Sequence, residues 1–287
     1  MKHQWAYKIF SAIILVAFTL GLLPVKPAYA AATELNIWTL AASTGASGNN
    51  ATINAGSLTV SAGTNRLFVA AVCMELSGGN TMTTLGISLG GTALTPISTT
   101  GGTNMTEQCW MGYLLNSQIP AGSNALTVPY NINGGGTTVT GAHVYWASYS
   151  GIDQTAPIND SNANSNGGTN VTFGQQIDFR QDGITFYIAA NIGSPATMGV
   201  LATFTQQLVT TSNGHSSFIS RITTVPHAAN GNYAAATNVT FSGTTGARSS
   251  IVIASLRPFV GETTPGAATA TAASNVAIDV SMPYTND

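Results

Sequence analysis

The spacing of the apolar residues limits this fold more than any other feature. Past residue 30 no segment repeats its apolar residues with the 3.6-residue period of a helix. They come instead in short runs divided by clusters of Gly, Asn and Thr. The run at 66–76 is almost continuously apolar, and 108–115, 124–130, 138–149, 183–190, 218–224 and 248–256 extend the series. Val239 and Phe241 lie in a shorter alternating stretch, and 86–97 predicts a hairpin turning at Gly90 and Gly91, since paired glycines accept the positive φ of a tight turn. Strands at this spacing with no crossover helices predict an all-β fold, an antiparallel two-sheet sandwich of jelly-roll or Ig-like type. Runs that are apolar on both sides (67–76, 183–190, 250–256) belong at sheet centres, and Thr-alternating ones nearer the edges.

Residues 1–30 have a different character. A basic start with Lys2 and Lys8 leads into an apolar stretch at 9–23; Pro24 and Pro27 then stop any helix, and Ala28-Tyr29-Ala30 is a small-x-small cleavage pattern. The sandwich is therefore expected to follow a signal-peptide helix cut after Ala30. The apolar stretch falls short of the roughly 20 residues of a spanning helix, and no later segment is long and apolar enough to form one. The alternative is an uncleaved N-terminal anchor. The expected location is secreted, extracellular or at the cell surface, with the periplasm as the other choice.

Removing that segment sharpens the charge balance. Lys2, Lys8 and Lys26 all lie inside it. The remainder holds five arginines (66, 180, 221, 248, 257) against ten carboxylates, a formal charge of −5. Nucleic acid is excluded as a partner, because five scattered arginines do not make the clustered cation surface that phosphates require. Glycans or other surface proteins are the expected partners.

Cys73 and Cys109 are the only cysteines. In an oxidising compartment an isolated pair predicts a disulfide, with two buried free thiols as the alternative. The domain plan that follows is a signal peptide at 1–30, a β-sandwich domain at 31–258, a linker at 259–266 and a separate segment at 267–287. In that last segment Val276, Ile278, Val280 and Met282 alternate onto one face.

Two resemblances accompany this plan. Gly90-Gly-Thr-Ala-Leu-Thr95, Trp110-Met-Gly-Tyr-Leu-Leu115, Pro120-Ala-Gly122, Tyr149-Ser-Gly-Ile-Asp-Gln-Thr-Ala-Pro157 and the run 251–258 are similar to an uncharacterised class of secreted bacterial β-sandwich domains. The likeness implies a fold and a surface or extracellular setting, and it carries no active site. The segment 267–287 resembles the opening strands of a fibronectin type III-like module, departing from it at Met282, where that family has its core tryptophan.

Three groups of residues are candidates for chemistry. If Cys73 and Cys109 face each other on antiparallel strands, Glu75 and Glu107 face each other too. Opposed carboxylates need a cation such as Ca²⁺ or a shared proton, unless the strands end in solvent there. Asp153 and Asp160 flank a stretch (151–168) rich in side-chain oxygens, which could ligate Ca²⁺ or simply form turns; its spacing matches no EF-hand. His143, Tyr145 and Tyr149 share one strand face, opposite Val144 and Trp146. That face could stack a sugar ring, lie exposed without a ligand, or join the core. His215 and His227 sit in polar sequence and are expected to be solvated.

No nucleophile elbow, phosphate loop, zincin motif or C-x-x-C pair is present, so no catalytic residue is assigned. The expected function is a non-catalytic secreted or cell-surface module for adhesion, surface structure or glycan contact. The alternatives are a carbohydrate-binding module proper and a jelly-roll glycoside hydrolase or lyase, which needs two carboxylates in a groove.

Overall fold

A computed structural model describes residues 29–47, 50–77, 81–99, 107–133, 138–167, 171–174, 176–192, 197–199, 204–212, 214–222, 227–233, 238–242 and 248–260. The expected signal peptide up to residue 28 and the fibronectin-like segment at 267–287 lie outside these residues. Tyr29–Val260 is one compact unit. Tyr29–Ala30 pairs antiparallel with Phe259–Val260, so the residues read as the start of a linker are a short strand.

The described elements are strands and turns, and every strand pairing is antiparallel. The main strands are β1 (Thr33–Ser47), β2 (Asn50–Thr59), β3 (Leu67–Leu76), β4 (Thr95–Thr99), β5 (Glu107–Leu115) and β6 (Ser123–Asn133). They continue as β7 (Thr138–Ser150), β8 (Ile158–Gly167), β9 (Ile184–Ile192), β10 (Phe204–Ser212), β11 (His215–Ile222) and β12 (Arg248–Leu256). One sheet has the order β1-β7-β3-β5-β4 and another β8-β12-β9-β11-β10. A third joins β2 and β6 to the short strands Thr81–Leu85, Ser88–Leu89 and Thr92–Ala93. The all-β antiparallel sandwich is thus the observed class.

The sheet containing β3 is packed on both faces. Phe68, Ala70, Val72, Met74 and Leu76 of β3 meet Ile53, Leu58, Leu126 and Val128 of β2 and β6 in one core. Leu67, Val69, Ala71 and Cys73 of the same strand meet Phe186, Ile188, Ile219 and Val252 of β9, β11 and β12 in a second. Successive residues of a strand point to opposite faces, so a strand serving two cores has no polar side to show. That is why 67–76 is apolar without alternation. β7 does the same, with Val144 and Trp146 in the first core and Tyr145 and Tyr149 in the second.

The hairpin turns at Gly90 and Gly91 with φ of 56° and 83°, the two positive values a tight two-residue turn needs. One sequence expectation changes here. The oxygen-rich stretch after Asp153 is mostly a strand: β8 runs along β12 from Ile158 to Gly167. Being an edge strand, β8 can carry Asn and Ser side chains where a central strand carries Val and Ile.

Candidate functional site

Antiparallel register sets the geometry beside the cysteines. Cys73 pairs with Cys109 across β3 and β5, and Glu75 pairs with Glu107. The cysteines form the expected disulfide, with Cα atoms 4.1 Å apart. On the other side of β3, Gly141 of β7 is the partner of Glu75. Gly141, Glu75 and Glu107 therefore lie in a row across three strands.

His215, the first residue of β11, comes down on this row from the facing sheet. Its Nε2 is 3.0 Å from Glu107 Oε1, and both side chains have no solvent exposure. Gly141 makes the space, since a Cβ there would sit 2.5 Å from His215 Cβ. The His143 ring stacks on that of His215 with centroids 4.5 Å apart. Two residues along β11, Ser217 Oγ is 2.6 Å from His143 Nδ1 and 2.8 Å from the Tyr145 hydroxyl. Ser250 Oγ donates to the Glu107 backbone carbonyl at 3.2 Å. Glu107 Oε2, Glu75 Oε2 and His215 Nδ1 are buried without a hydrogen-bond partner.

Burial decides the charge state of this cluster. It pushes the Glu107 carboxyl well above the usual range, and the Glu75 carboxylate beside it pushes further the same way. Burial also raises Glu75, against opposing effects of His215 and Thr140. It lowers His215 to about 4 and His143 to about 3. The His215–Glu107 contact has the geometry of an ion pair, yet both groups favour their neutral forms. We read it as a neutral hydrogen bond with one proton between Nε2 and Oε1, because separating charge in a dry interior costs more than the contact returns. Cys73, Glu107 and Cys109 place potential ligand atoms within 4.8 Å of one another. Their sulfurs are joined in the disulfide, however, so there is no thiolate to hold a soft metal. Ca²⁺ takes roughly six to eight oxygens, and two carboxylates beside an imidazole do not supply them. The cluster can store protons, but Glu107, His215 and His143 have no solvent exposure and are closed to a substrate, with only Glu75 half-buried at the edge.

The proposed sugar-stacking face is corrected by the same packing. His143, Tyr145 and Tyr149 are each 0% exposed, because β7 lies between β1 and β3 and this face of it is covered by the sheet of β9, β11 and β12. Tyr149 stacks there on Phe186 at 5.7 Å. His215 and His227, expected in solvent, are buried as well. His227 Nε2 lies 2.9 Å from Thr185 Oγ1, and burial lowers its pKa to about 4. Asp153 Oδ1 accepts the backbone N–H groups of Thr155 and Ala156 in an Asx turn. Asp160 accepts those of Ser161 and Asp178. These two carboxylates are occupied by the backbone and do not converge.

Among the described residues, two of the hollows that open to solvent stand out. One of about 440 Å³ is lined by uncharged residues, among them Asn50, Thr52, Pro129 and Tyr130. The other, of about 340 Å³, gathers Asn159, Asp178, Phe179, Arg180, Asn230, Gly231 and Arg257. Its parts are positioned by one another. Asn159 donates Nδ2 to the Asp178 carbonyl and accepts Arg180 Nε at 2.8 Å. Asp178 accepts from Asn232 Nδ2, and Asn230 Oδ1 accepts the Gln181 N–H. Phe179 stacks on the buried His227 ring at 4.2 Å, and its edge abuts Gly231, where any Cβ would collide with it.

No family model, curated protein or solved structure matches this chain.

Sequence reasoning missed His215, Ser217 and the whole second hollow. For β11 there was a usable signal: His215, Ser217 and Ile219 alternate with Ser216, Phe218 and Ser220, a strand pattern in which small hydroxyls stand for buried positions. The hollow had none, since it joins residues from 159 to 257 that only the fold brings together.

Proposed function

We propose that this chain is an exported, non-catalytic β-sandwich module that acts by surface contact, and that its contact is with glycan. The observation that carries the reading is the division of polar groups between interior and surface. Among the described residues the acid–base cluster of Glu107, His215 and His143, with the half-buried Glu75 at its edge, lies between two sheets. The hollow at Asn159, Asp178 and Arg180 presents fixed amide, carboxylate and guanidinium groups to solvent beside an aromatic edge. Planar polar side chains held in place by neighbours suit a polyhydroxyl ligand, because the ordering cost of the site is already met. A glycoside hydrolase needs its carboxylates within reach of the sugar, and Glu107 at 0% exposure is not. The export pattern at Ala28-Tyr29-Ala30 and the resemblance to secreted β-sandwich domains support the surface setting.

The test is a glycan array probed with the full chain and with Asn159→Ala, together with an assay for released reducing ends. Retention on a glycan class, weakened by Asn159→Ala and without sugar release, is the expected result. Sugar release abolished by Glu107→Gln would make the protein an enzyme and overturn the reading.

A further inference from the structure

We propose that the ligand of the 340 Å³ hollow is an acidic sugar, one bearing a uronic carboxylate. This rests on the glycan-contact reading above and narrows it. The chain has five arginines and, after residue 30, no lysine, and two of the five, Arg180 and Arg257, line this one hollow. Among the described residues the only ion pair of an arginine is Arg221 with Glu34, so Arg180 and Arg257 have no carboxylate partner. Arg257 Nε is in addition buried without any hydrogen-bond acceptor. Arg257 is half-buried and Arg180 exposed beside it; a partly desolvated arginine seldom stays unpaired, and the planar fork of each matches a carboxylate through two parallel hydrogen bonds.

The hollow is built to receive that fork. Asn159 holds Arg180 by Nε, which fixes the guanidinium plane and leaves its terminal nitrogens for a ligand. The one acidic lining residue, Asp178, has a carboxylate oxygen engaged by Asn232. Asp178 has a second oxygen that can accept hydroxyl hydrogens. A ligand with one carboxylate among several hydroxyls satisfies both halves of the site, whereas an acidic peptide satisfies only the arginines.

Isothermal titration of the full chain would compare oligogalacturonate, cello-oligosaccharide of equal length and a poly-Glu peptide, at low and at high salt. The expected result is binding of oligogalacturonate that weakens with salt, as exposed charge pairing does. Arg180→Gln and Arg257→Gln should each weaken it by about tenfold or more, the range for hydrogen bonds to a charged group. Arg180→Lys should not restore it, for want of the planar fork. Equal binding of the acidic and neutral oligosaccharides, or an unmoved affinity in both Gln variants, would overturn the acidic-sugar assignment and leave glycan contact standing. Poly-Glu binding as tightly as the sugar would overturn it in favour of a general carboxylate site. Failure of all sugars to bind at the hollow would remove the glycan reading with it. The salt dependence is read on the unaltered chain, so the outcome does not hang on how well a variant folds.

Discussion

Glu107 is the residue on which the most chemistry converges. It pairs with the half-buried Glu75, touches His215 and lies against the disulfide, and its own side chain has no solvent exposure. If the carboxyl is neutral in the folded chain, Glu107→Gln keeps its volume and its hydrogen-bonding capacity and should be tolerated. Glu107→Ala strips His215 Nε2 of its partner and opens a cavity. The expected cost is about 2–4 kcal/mol, from one unsatisfied buried group and the lost packing, read as a lower urea midpoint than that of Glu107→Gln. Half of this site was legible beforehand: once Cys73 faces Cys109, strand arithmetic alone places Glu75 opposite Glu107. The other half was not, because His215 arrives from another sheet across more than a hundred residues, and pairing rules are silent about what lies above a sheet.

At the scale of elements, β3 and β5 show what the disulfide does. It closes a loop of 36 residues, for which the chain-entropy model gives about 3–4 kcal/mol of stabilisation. Replacing both cysteines by Ala should lower the urea-derived stability by that order. In the unaltered protein the sulfurs are sealed in the second core. A thiol reductant should therefore open the bond only as fast as the protein unfolds, which alkylation time courses followed by mass spectrometry would show. Strands such as β3, β9 and β12 could be read from sequence because a buried strand writes itself as an apolar run. The edge strands β1, β8 and β10 could not, since Thr, Asn and Ser in an exposed ladder look like the residues of turns. Trp38 of β1, buried edge-on against Phe186 at 5.1 Å, is the position that most betrays a strand there.

For the whole molecule, the buried titrating groups set opposite limits on stability. His143, His215 and His227 have folded values near 3, 4 and 4, below the ordinary 6.5. Their contribution is complete above about pH 6.5 and is lost as pH falls toward 4, because the unfolded chain takes up protons that the fold refuses, at up to about 1.4 kcal/mol per unit for each. Glu107 and Glu75 are raised, so their contribution is complete below about pH 4.5 and drains away as pH rises. Urea midpoints measured across this range should peak in mildly acidic solution and fall on both sides, and Glu107→Gln should flatten the alkaline side. A midpoint that climbs steadily from pH 5 to 8 would contradict the neutral cluster. The sheet shared by two cores has one more effect. Hydrophobic patterning normally tells a strand which way to face, since a slip of one residue would send its oily side to water. β3 is oily on both sides and receives no such instruction. For that strand the message has to come from individual side chains, and the cystine beside an acid row that only Gly141 and His215 can accommodate works like the notch on a key, letting the strand seat in one position out of two that solvent alone would treat as equal.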